Sequence, residues 1–127
     1  MAHGAGIDKG QWPPKEVESA AYHEQAKLLA KGGVDIIFVE MVWEWKDHGV
    51  LAAQGACAAG LPVALCLSVF DAASCEDGMP QLHDGTLVEE LAREVAQGDE
   101  WRNVVALCVH HTKLPLVLPC LLAIRKG

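Results

Sequence analysis

Three short apolar runs, "VDIIFVEMV" (34–42), "PVALCLSVF" (62–70) and "NVVALCVHH" (103–111), alternate with helix-like segments, and this alternation constrains the fold more than any other feature of the chain. Each run is apolar at consecutive positions and bounded by turn residues, the pattern of strands buried on both faces. Between the runs the apolar period lengthens to that of a helix. "EVESAAYHEQAKLLAK", Glu16 to Lys31, follows Pro13 and Pro14 and sets Val17, Ala20, Ala21, Ala26, Leu28 and Leu29 roughly on one side. Gly32 and Gly33 end it, since glycine accepts the left-handed backbone that closes a helix. Trp45 to Ala59 reads as a second helix closed by Gly60. Thr86 with Glu89 three residues on reads as a capping box for a third, "LVEELAREVAQ", and Leu116 to Lys126 as a fourth.

Helices alternating with strands predict an α/β fold with a parallel sheet, because each crossover is long enough to hold a helix. An open doubly wound sheet and a (β/α)8 barrel share this pattern. A barrel takes eight strands and about 250 residues. The 127 residues with three strands therefore read as a partial domain, three consecutive βα units over 1–127.

Charge and composition exclude several partner classes. Seventeen acidic against ten basic side chains, a formal charge of −7, leave no basic surface to follow a nucleic-acid backbone. The longest apolar runs are about half of what a membrane-spanning helix requires, so no membrane segment is expected. "MAHGAGIDKGQWPP" has neither the basic start nor the apolar core of a secretory signal, which predicts a cytoplasmic protein. The five cysteines, Cys57, Cys66, Cys75, Cys108 and Cys120, form no C-x-x-C pair and are expected to be thiols in that compartment.

"AYHEQAKLLAKGGVDIIFVEM", "AAGLPVALCLSV", "DGTLVEELAREV" and "VVALCVHHTKLPLVLPCLLAIRK" stand in the order and spacing of the middle and later part of the homocysteine-binding domain, and the chain resembles the homocysteine S-methyltransferase family from about Gln11 onward. That resemblance implies a TIM barrel in which zinc, held by cysteine thiolates, activates the homocysteine thiol for attack on a methyl donor, giving methionine. Homocysteine and a methyl donor are thus the implied small-molecule partners. A thiolate is the stronger nucleophile, and zinc stabilises it at neutral pH. The family's Gly-Val-Asn-Cys motif aligns with Cys108, Val109, His110 and His111, so His111 stands at a metal-ligand position. The later cysteine pair and the family's first strands have no counterpart here. Glu40 matches the glutamate that holds the amino group of homocysteine, which makes it the substrate-binding candidate.

Neighbouring residues carry weaker expectations. Along a strand side chains alternate, so only one of His110 and His111 faces the barrel axis; the plainer expectation is that His111 and Thr112 begin the loop and bond to backbone. Ser68 and Asp71 lie at the same strand-end edge. Cys66 and Cys108 fall in neighbouring strands, where two small buried thiols are a more ordinary outcome than a metal pair. Trp43 and Trp45 flank a strand end where a ligand would sit, although packing is their default. His23 belongs to a helix face, and His48 and His83 are expected to be exposed. A competing expectation is a binding or assembly module without catalysis, self-associating or complementing another chain through its exposed sheet edges.

Overall fold

A computed structural model describes residues 12–69 and 79–127. In chain order the elements are α1 (Lys15–Lys31), β1 (Ile37–Val42), α2 (Gly49–Cys57), β2 (Val63–Leu67), α3 (Val88–Gln97), a 3-10 turn (Asp99–Trp101), β3 (Val104–Val109) and α4 (Leu114–Lys126). The three apolar runs pair as one parallel sheet in the order β1-β2-β3. This is the alternating α/β arrangement that the sequence predicts, an open sheet of the kind found in part of a TIM barrel.

Strand pairing fixes which residues share a face. Val39, Leu65 and Leu107 lie side by side, as do Cys66 and Cys108. One face carries Ile37, Val39, Val42, Val63, Leu65, Leu67, Leu107 and Val109. These pack with Ala53 and Ala56 of α2, Leu91 and Val95 of α3, and Leu116, Cys120 and Ala123 of α4 in a single core. The opposite face carries Phe38, Glu40, Ala64, Cys66, Ser68 and Cys108, following the twofold alternation of strands. We call it the inner face. Its β2 residues are buried, while Phe38 is 55% exposed at the flank.

α1 packs on α2 rather than on the sheet. It stops where Gly33 takes φ +83°, and α2 gives way to β2 through Gly60 at φ +74°, as their glycines predict. Three boundaries differ from expectation. α2 begins at Gly49 instead of Trp45, because residues 44–48 are drawn into a turn: Glu44 is buried and accepts the backbone N–H of Asp47, His48 and Gly49. Its carboxylate thereby caps the first turn of α2. The capping box does not form, since Leu87 is the N-cap of α3 and makes no side-chain cap bond. α4 starts at Leu114, with Pro115 in its first turn, where a missing N–H is harmless.

Asp84 supplies the other tie between distant segments. Its Oδ2 accepts the N–H of Trp45 and of Lys46, each at 2.8 Å, and its Oδ1 that of Thr86 at 3.0 Å. Burial alone would raise this carboxyl, but the bonds from the Lys46, Thr86 and Trp45 backbone outweigh it and hold it below the usual carboxylate range. A carboxylate depressed in the folded state stabilises fully above its unfolded value and loses that contribution as pH falls through the folded one. We therefore expect stability to decline below about pH 4, and to decline less steeply in Asp84→Asn. Urea unfolding at a series of pH values measures both slopes; parallel curves would remove Asp84 from the account.

Candidate functional site

The C-terminal ends of β1, β2 and β3 lie together, and in parallel α/β folds that edge is where sites are built. Glu40 does not end its strand as expected. β1 continues to Val42 past an irregularity: Val39 pairs with Leu65 and Val42 with Leu67, so one more residue is spent on β1 than on β2. Met41 takes φ +61° within that bulge, the strained backbone by which bulges re-aim a side chain. Glu40 is exposed, and no salt bridge among the described residues engages it. It borders a groove lined also by Tyr22, Gln25, Leu29, Phe38 and Ala52.

Cys66 lies next to Glu40 on the inner face. Burial, the neighbouring Cys108 thiol and the Glu40 carboxylate together push the Cys66 thiol up to about 11. Ser68 is buried beyond it, 3.9 Å from the Met41 sulfur. Asp71 and Cys75 lie outside the described residues, and Cys57, Cys66 and Cys108 are free thiols.

The two histidines follow the end of β3 at Val109, and their rings stay in edge contact instead of parting to opposite faces. His110 continues the Cys108 row, bonded through its N–H to the Leu67 carbonyl at 2.8 Å; its Nδ1 is buried with no partner among the described residues. His111 leaves the strand at φ +47° and is exposed, its ring 3.9 Å from that of His110. Thr112 makes the backbone bonds foreseen for a loop start, accepting the N–H of Val69 and donating to the His110 carbonyl, each at 3.0 Å. Among the described residues no three His, Cys, Asp or Glu side chains come together to hold a metal ion. His111 thus has no co-ligands there.

Other candidates resolve as packing. Trp45 is buried, donates from Nε1 to Glu94 and lies 5.3 Å from the Trp101 ring. Trp43 sits against the exposed His83. His23 is exposed, with Nδ1 2.8 Å from the Ser19 carbonyl. His48 is not exposed as expected: its Nδ1 is 2.6 Å from buried Glu18, and its ring stacks on Trp12. Tyr22 donates to the same Glu18 carboxylate at 3.1 Å, and its hydroxyl is raised by burial and by Glu18. Sequence reasoning missed this cluster and Asp84 because each joins residues remote in the chain, and it missed Glu44, whose bonds reach only three to five residues on, because that stretch reads as helix. Within the Glu18 cluster the local signal was Glu18 and Tyr22 at i, i+4 spacing.

Comparison with curated proteins returns no match, and neither does comparison with solved structures. The family model described as homocysteine S-methyltransferase matches residues 5–126. Since that match spans nearly all of the 127 residues, the chain belongs to the homocysteine S-methyltransferase family.

Proposed function

We propose that this chain carries the amino-acid-binding part of a homocysteine S-methyltransferase. In the reaction the homocysteine sulfur forms a bond to the methyl carbon, the bond from that carbon to the donor breaks with its electron pair going to the donor, and the thiol proton is released, giving methionine. The observation that carries the reading is Glu40. Within a chain of this family, it is an exposed carboxylate at a strand bulge on the inner face, engaged by no salt bridge among the described residues. Two carboxylate oxygens there suit the three N–H donors of an amino acid's ammonium group. His111 stands where the family resemblance puts a zinc ligand, and would supply one donor to it.

Calorimetry of the full chain with L-homocysteine tests the reading. Glu40→Gln is expected to weaken binding about 10- to 100-fold, the value of a charge-assisted hydrogen bond. Equal affinity in the two proteins would sink the role of Glu40. Zinc content measured alongside, in wild type and in His111→Ala, should fall in the variant if His111 is a ligand.

A second reading, an assembly module without catalysis, is favoured by one observation. Along α4, the helix that follows edge strand β3, Leu114, Leu118, Leu121 and Leu122 are 85%, 63%, 45% and 49% exposed at helical spacing. Sedimentation as a monomer with a cooperative melt would count against it.

A further inference from the structure

Cys66 and Cys108 are the residues whose chemistry the reading above leaves unused. They occupy directly paired positions of β2 and β3 and project from the same face, so the two strands hold their sulfurs side by side. The sheet fixes this pair more firmly than a loop would, because β2 is bonded on both edges. We infer that Cys66 and Cys108 form a two-thiolate site for a soft closed-shell cation of the copper(I) class.

Four observations support it. Both thiols are free, so neither is committed to a disulfide. Thiolate sulfur selects soft cations, and among the described residues no third His, Cys, Asp or Glu joins a metal-holding group. That donor set suits an ion content with two ligands and not one that demands four, as structural zinc does. Cys66 is buried and Cys108 half-buried, which gives the ion an entry by way of Cys108. Finally, the Cys108 thiol beside Cys66 opposes ionisation of Cys66, and a shared cation removes that repulsion.

Binding is not a redox step. One copper(I) ion and two thiols give one bis-thiolate complex: two S–H bonds break, two S–Cu bonds form and two protons pass to solvent. The complex carries one negative charge where the two protonated thiols carry none, so the adjacent Glu40 carboxylate opposes it. Glu40→Gln is therefore expected to tighten copper several-fold while weakening homocysteine, which keeps the two proposals separable.

The test is anaerobic titration of the full chain with copper(I), with bicinchoninate as the competing chromophore and no thiol reductant. One copper per chain is expected, with uptake lost in both Cys66→Ser and Cys108→Ala and retained in Cys57→Ala, whose thiol belongs to the helix-side core. Far-UV circular dichroism on each variant separates a lost site from a lost fold, since half-buried Cys108 tolerates truncation better than the core. No uptake against bicinchoninate would overturn the inference. So would uptake that survives removal of either strand cysteine, or a protein mass lighter by two hydrogens that shows the pair already oxidised.

Discussion

Gly55→Val is expected to destabilise the protein by about 3 kcal/mol, at the upper end of the range for overpacked sites. α1 crosses α2 at this residue. A Cβ on Gly55 would lie 2.7 Å from the Tyr22 Cβ, 3.0 Å from the Tyr22 carbonyl carbon and 3.1 Å from the His23 nitrogen. Backbone cannot swing aside as a side-chain tip can, so the helices must separate. Separation also pulls Glu18 away from His48 across the same junction. Alanine gains helix propensity of about 1 kcal/mol over glycine, but the 2.7 Å contact outweighs it, and Gly55→Ala should fall between wild type and Gly55→Val. Urea unfolding reads the order from the midpoints, given an unchanged slope. A valine variant within about 0.5 kcal/mol of wild type, as for an ordinary surface change, would mean that α1 does not dock at this crossing.

Leu65→Ala should cost more, about 2–5 kcal/mol. Leu65 is fully buried at the middle of the central strand, between Val39 and Leu107, and belongs to the core shared with the helices. Strands on both sides hold β2 in register, so little relaxation can fill the cavity, and the upper half of the range applies. Domains of this size are stable by about 5–15 kcal/mol in total, so this one truncation removes a large share. Phe38→Ala is the matched control. It deletes a larger side chain, but Phe38 is 55% exposed and should lose far less. If Phe38→Ala proved as costly as Leu65→Ala, the inner face would be covered in solution, and the assembly reading would gain.

Much of this fold is legible because it is local. Proline before α1, glycine after α1 and α2, and unbroken apolar runs for the strands are signals written in adjacent residues, and all of them appear where expected. Long-range ties are a different matter. Trp45 to His48 looks helical by composition, yet Asp84, almost forty residues later, captures the Trp45 and Lys46 amides and delays α2 to Gly49. Thr86 and Glu89 match a capping box by spacing, but the Thr86 N–H serves Asp84 and α3 starts one residue later. His48 likewise finds Glu18 and Trp12 only through the packing of α1 on α2. At the candidate site the C-terminal ends of the three strands lie along one edge, as the parallel pattern implies. The sequence could not show that Glu40 sits in a bulge, because strands apolar on both faces leave no alternation from which to read an extra residue.

That extra residue gives β1 two reading frames. Up to Val39 the odd-numbered residues Ile37 and Val39 meet the helices, whereas past Met41 it is the even-numbered Val42 that is buried in the core. β3 shifts in the same way: Val104 pairs with Val63 and Ala106 with Ala64, leaving Val105 over and 61% exposed, after which Leu107 and Val109 take the core. A rule for tolerated substitutions learned on one half of either outer strand is therefore inverted on the other. Only β2, which keeps a single frame from Val63 to Leu67, can be edited by counting in twos.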